Sequence, residues 1–242
     1  MNDRKNRKMS QPIPTEAIAD PINRACEILT SVAKSRTCVY RWLSLGFYPP
    51  DQDLVEAVMQ GKLAAELTES TAWLGADQGD LIAKINKLVG QSDRPEDWQA
   101  EYQLLFGKSI QRVSPQESSY RWRDASHMLE AADSLAQALK QEYNQYGLAP
   151  IAGMEDSVAV ECEFLSYLCE RETENWALGS MRPARELRQQ QRNFLADHLG
   201  VWFPEFSRNL IDRAAGSFYG HLASFGNTWF AFEHGAGYQG AA

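Results

Sequence analysis

Apolar positions along this chain recur at helical spacing almost throughout. Between Pro21 and Leu45, Cys26, Leu29, Val32, Tyr40 and Leu43 follow that spacing, and the pattern stops at Gly46. Tyr48-Pro49-Pro50-Asp51 predicts a turn, because proline fixes φ and pushes the residue before it out of the helical region. Asp51 or Asp53 can cap the next helix, which carries Leu54, Val55, Val58 and Met59. Shorter helices are expected over 63–74 and 80–89, interrupted by Gly75 and Gly79, with Gly90 as a C-cap. Asp97 opens another helix, holding Trp98, Tyr102, Leu105 and Phe106, and Gly107 closes it. A loop over 108–115 leads into a helix that reaches Tyr146.

Gly147 to Gly153, with Pro150 inside it, is a second break. From Asp156 a strong helix places Val158, Cys162, Leu165 and Cys169 on one stripe, widened by Phe164 and Leu168. A loop around Gly179 and Pro183 precedes a helix over 184–199. One last long helix is expected over 205–232, with Phe206, Leu210, Ala214, Phe218, Leu222, Phe225, Trp229 and Phe232 spaced three or four apart. No segment alternates as a strand would, there is no Asn-Gly or Asp-Gly hairpin signal, and no repeat of fixed period is present. The expected fold class is therefore all-α. No long Pro/Gly/Ser-rich or charged linker divides the chain, so a single-domain multi-helix bundle over 21–234 is expected, with flexible tails at 1–20 and 235–242.

Composition narrows the function classes. With 242 residues, 44% of them hydrophobic, the chain can bury a sizeable core. A formal charge of −8 disfavours nucleic acid and anionic membranes, both of which are bound mainly through basic patches, and favours basic peptides. No run of about 18 apolar residues exists to span a membrane. Arg4, Lys5, Arg7 and Lys8 are followed by Gln11, Pro12 and Pro14 where a signal peptide would place its apolar stretch, so a cytoplasmic protein is expected.

Cys26, Cys38, Cys162 and Cys169 contain no C-x-x-C pair and read as reduced core thiols before any metal or redox role. Phosphate-loop, dinucleotide-binding, H-E-x-x-H and G-x-S-x-G signatures are absent. No two of His127, His198, His221 and His234 lie three or four apart. The expectation is a protein that is not an enzyme, with no catalytic residue, no metal and no cofactor.

Two segments depart from what a helical bundle needs. The first runs Glu101-Tyr102-Gln103-Leu104-Leu105-Phe106-Gly107 and continues at Pro115-Gln116-Glu117-Ser118-Ser119-Tyr120. It could bring backbone amides and Glu117 together, or it could be a helix stop and a helix start with Ser114 capping ahead of Pro115. The second opens at Asp156, placed to cap the helix, and carries Glu161 close to the apolar stripe. A buried carboxylate needs a partner or a cleft, so Glu161 either pairs with an arginine or reaches a ligand. Charge also separates: Glu155, Asp156, Glu161, Glu163, Glu170, Glu172 and Glu174 stand against Arg171, whereas Arg182, Arg185, Arg188 and Arg192 stand against Glu186. These are two mutually attracting helices, two solvated faces, or an acidic surface that steers a basic peptide.

These stretches resemble the TorD/DmsD/NarJ superfamily of redox-enzyme maturation chaperones. Tyr102, Leu105, Phe106, Gly107, Pro115, Glu117 and Ser118 match its Tyr-x-x-Leu-Phe, glycine and proline-glutamate-serine signature. Asp156, Ala159, Glu161, Phe164 and Leu165 match its next helix, although Ser157 replaces the family's histidine and Met154 stands where proline is common. Asn193-Phe194-Leu195, His198-Leu199, Trp202 and Pro204-Glu205-Phe206 resemble a third stretch, and Phe218-Tyr219 a fourth.

The resemblance implies a TorD-like helical bundle and a molybdoenzyme-specific cytoplasmic chaperone. It would bind the twin-arginine signal peptide or the apo catalytic subunit of a bis-molybdopterin oxidoreductase, aid cofactor insertion and delay export by twin-arginine translocation. The client-binding residues so implied are Tyr102, Phe106, Gly107, Pro115, Glu117, Ser118, Asp156, Ser157 and Glu161. The chain would be a monomer or a domain-swapped homodimer, with no nucleic-acid partner and no stable membrane insertion. Alternatives are a NarJ-like cofactor-insertion chaperone whose client lacks a twin-arginine signal, or a helical small-molecule-binding protein or enzyme.

Overall fold

Helical spacing carries through nearly all of the computed structural model, which describes residues 21–72, 83–84, 95–108, 112–122 and 128–235. The expected tail over 1–20, the tail over 235–242 apart from Gly235, which ends the last helix, the glycines at 75, 79 and 90, and most of the helix expected over 80–89 lie outside the described residues. Among the described residues there are ten helices and no strand, as an all-α fold requires. None of these helices is long and apolar enough to cross a membrane.

Helix α1 (Pro21–Phe47) runs through Gly46 and does not stop there. Gly46 is a point of close approach, because a Cβ on it would meet the Leu222 side chain at 2.5 Å. Asp51 caps α2 (Gln52–Met59) as expected, its side chain accepting from Leu54 N at 2.8 Å. Then come α3 (Lys62–Ala72), α4 (Pro95–Phe106) and the single turn α5 (Ser118–Arg121). Pro115 is not the first residue of a helix: it lies in extended chain, and the helix expected to continue to Tyr146 breaks at Trp122, with φ −122° and ψ 130°. Helix α6 (Met128–Asn144) ends in a turn before Gly147 and Gly153, both with positive φ, where a break was expected.

Helix α7 (Val158–Ala177) packs along α1, and α8 (Met181–Asp197) packs against α7. Pro183 falls in the first turn of α8, where its missing N–H costs nothing. The long helix expected over 205–232 is two: α9 (Leu199–Arg213) and α10 (Phe218–Gly235). The short link at 214–217 holds Gly216 at φ +81°, and the two helices pack on each other as a hairpin. The unbroken apolar stripe thus belongs to two helices that fold back and share one core.

That core is one contiguous cluster drawn from nearly every helix, with Tyr40, Phe47, Trp202, Phe203, Phe206, Tyr219 and Trp229 almost fully buried. Helix α10 reaches α9 and α1 closely because Gly226 has no side chain: a Cβ there would meet Phe203 Cζ at 2.9 Å and Leu43 Cδ2 at 3.3 Å. Beneath one end lies a charged network. Arg36 of α1 donates from Nη1 to Glu172 Oε2 of α7 at 2.9 Å and from Nε to Glu233 Oε2 of α10 at 2.8 Å. Arg36 Nη2 lies 2.7 Å from the same Glu233 oxygen but is poorly aligned for a hydrogen bond. Arg188 of α8 also donates to Glu233, at 3.2 Å. Burial alone would raise the Glu233 carboxyl; Arg36 and Arg188 overcome it and bring the pKa to about 2.

Candidate functional site

The chain brings its two unusual segments side by side. Glu117 N donates to Asp156 O at 2.8 Å and Val158 N donates to Pro115 O at 2.9 Å, forming an isolated antiparallel bridge between Gln116 and Ser157. Asp156 does not cap α7. Its Oδ2 accepts from Ser118 N at 3.0 Å and its Oδ1 from Gln116 Nε2 at 3.3 Å, so the carboxylate ties down the other segment. Ser157 takes the cap: with extended φ and ψ of −84° and 145°, its Oγ accepts from Val160 N at 3.3 Å. A short hydroxyl thus serves the helix start, and the Asp156 carboxylate bonds the neighbouring segment instead.

Behind the bridge sit two carboxyls with no solvent exposure, Glu117 and Glu161. Glu117 accepts from Arg121 Nε one turn later, and Arg121 Nη2 also bonds the Asp197 carbonyl. His198 Nδ1 lies 2.9 Å from Glu117 Oε2, and a carboxylate can only accept, so the imidazole proton sits on Nδ1. His198 Nε2 faces Glu142 Oε2 at 3.9 Å.

Glu161 finds no arginine. Its Oε2 accepts from Trp202 Nε1 at 3.2 Å, and Oε1 has no hydrogen-bond partner among the described residues. Burial and then the neighbouring Glu117 push the Glu161 carboxyl well above the usual range, while the Trp202 bond works the other way. With no cation beside it, Glu161 is the carboxyl that burial holds toward its protonated form.

Tyr102, Phe106 and Gly107 form a second group at the end of α4. Phe106 meets Tyr219 edge-on at 5.4 Å, Tyr102 meets Tyr219 at 5.9 Å, and Tyr102 Oη donates to Phe47 O at 3.4 Å. A side chain at 107 would run into the Gln103 carbonyl oxygen, so the helix can end there only on glycine. The two groups meet through α9, where Phe206 stacks on Phe106 at 6.5 Å and also packs on Trp202 at 5.5 Å. Tyr120 stacks on Trp202 at 5.5 Å from the bridge side.

Of the nine expected client-binding residues, Glu117, Glu161, Asp156, Ser157 and Phe106 are buried, whereas Tyr102, Gly107, Pro115 and Ser118 are part-exposed. Arg121, His198 and Trp202 complete the cluster and were not singled out as site residues. Each had a signal in the sequence, since Arg121 follows Glu117 by four and His198 precedes Trp202 by four. The arrangement holds three chain segments together through buried polar bonds. Among the described residues, no group of His, Cys, Asp or Glu is arranged to hold a metal ion.

The profile described as nitrate reductase delta subunit matches residues 64–208, which take in both segments and most of the cluster. The chain belongs to that family. It is 24% identical over 211 residues to the perchlorate reductase assembly chaperone protein of Dechloromonas aromatica (strain RCB), a match covering 84% of this chain and 87% of that protein. A stretch of 55 residues is 42% identical to the selenate reductase assembly chaperone protein of Thauera selenatis, covering 23% of this chain and 28% of that one. No solved structure matches. Both relatives are named as assembly chaperones of reductases and neither as a catalyst. The expected kinship with the redox-enzyme maturation chaperones therefore holds.

Proposed function

We propose that this chain is a cytoplasmic assembly chaperone for the catalytic subunit of a molybdenum oxidoreductase, binding its twin-arginine signal peptide until the cofactor is in place. The observation that carries this reading is the similarity along 84% of the chain to a reductase assembly chaperone. The work is recognition. A signal peptide offers a basic start and an apolar stretch able to form a helix, and a helical protein of charge −8 suits the basic part. Apolar burial supplies most of the affinity, and charge-assisted bonds supply selectivity and encounter rate. Holding the client delays export and shields the unfilled subunit from aggregation.

Calorimetric titration with twin-arginine signal peptides of candidate molybdoenzymes, each beside a version with both arginines changed to lysine, tests this. Saturable binding weakened by the lysine change is the expected result. A second reading within the same family is a cofactor-insertion chaperone for a client that carries no such signal. No binding to any peptide, with co-purification of a client lacking the signal, would replace the first reading by the second.

A further inference from the structure

The three carboxyls of the cluster are at most 5% exposed and face other parts of the chain, so they offer nothing to a cation arriving from solvent. Acidic groups that could do so lie elsewhere. A cleft of about 780 Å³ opens between α1, α3 and α7. Four carboxylates line it, Glu66, Glu69, Glu170 and Glu174, against Lys34 and Arg41. Glu66 is engaged, accepting from Arg41 Nη2 at 2.9 Å and Trp42 Nε1 at 2.8 Å, and Glu174 pairs with Arg171. Glu69 on α3 and Glu170 on α7 are exposed and have no hydrogen bond or ion pair among the described residues.

The cleft also has a polar floor. Thr30, Ser31 and Thr37 each return their hydroxyl to the carbonyl four residues back. Ser35 does not: it is only 6% exposed, makes no hydrogen bond among the described residues, and lines the cleft. Its hydroxyl opens onto the cleft and is free to bond a donor that enters it. Two free carboxylates on facing walls above an acceptor on the floor match a guanidinium, which has five N–H groups in a fixed fork and no acceptor. Leu45, one turn beyond Arg41 on the same face of α1, is 41% exposed and continues that wall with apolar surface.

We propose that this cleft seats the arginine-bearing segment of the client peptide, with Glu69 and Glu170 as counter-charges and Ser35 bonding from below. The proposal rests on the signal-peptide reading and gives it a location. Guanidinium groups would displace Lys34, whose long stem lets its ammonium swing to solvent.

The test is calorimetric titration of wild type and Glu69→Gln/Glu170→Gln with a synthetic peptide bearing two adjacent arginines ahead of an alanine–leucine run. Both substitutions keep shape at exposed positions. The double variant should lose about tenfold or more in affinity, with a flatter salt dependence. Cys38 gives an independent readout: it lines the cleft part-exposed, whereas the other three cysteines are buried, so bound peptide should protect it from alkylation. Undiminished binding in the double variant, with Cys38 still reactive, overturns the cleft and leaves the chaperone reading standing. No binding of the peptide by wild type overturns both.

Discussion

Glu161→Gln replaces a carboxyl that the fold keeps protonated with an amide of the same shape. Glu161 has no exposure, one bond from Trp202 Nε1 at 3.2 Å, and Glu117 as its acidic neighbour. In the unfolded chain it ionises in the ordinary carboxyl range, near about 4.3. The folded pKa is raised, so between the two values the unfolded state binds fewer protons than the folded one. Stability of the wild type therefore falls as pH rises through that window, by about 1.4 kcal/mol per pH unit for one proton. Glutamine does not titrate. Trp202 can still donate to its oxygen, so at low pH the two proteins should agree within about 1 kcal/mol.

Above the ordinary carboxyl range the variant should gain on the wild type along that slope, levelling off once Glu161 ionises in the fold. Urea unfolding followed by tryptophan fluorescence at several pH values, with linear extrapolation to water, measures the difference. A difference that stays flat with pH, or favours the wild type as pH rises, would refute a protonated Glu161 in the fold.

Two other outcomes follow from the same geometry. Arg36→Met leaves Glu172 and Glu233 buried with fewer partners and should cost about 3–5 kcal/mol near neutral pH. Glu233 stabilises the fold above the ordinary carboxyl range and loses that contribution as pH falls toward its folded value of about 2, so the deficit should shrink on acidification; an equal deficit in acid and at neutrality, by denaturant titration, would count against the network. Asp156→Ala strands the Ser118 amide and should lower stability by about 1–3 kcal/mol, while the folded fraction binds arginine peptide as the wild type does. A loss of peptide affinity with unchanged thermal unfolding would make Asp156 a contact residue instead.

The sequence by itself determined the helical class, most helix positions and local devices such as the Asp51 cap, because period and capping are decided within a few residues. It also marked both unusual segments and the need of Glu161 for a partner. It misassigned what depends on distant chain. The stripe from Phe206 to Phe232 looked continuous because two helices of a hairpin bury the same face, and the fold back at Gly216 leaves no mark in the period. Asp156 read as a cap because its partner, Ser118, lies 38 residues away. Glu161 was expected to pair with an arginine or to reach a ligand, and it met Trp202, 41 residues on, and Glu117. Which buried group answers which is a matter of three-dimensional neighbours, and only the packing of α5, α7 and α9 around one another decides it.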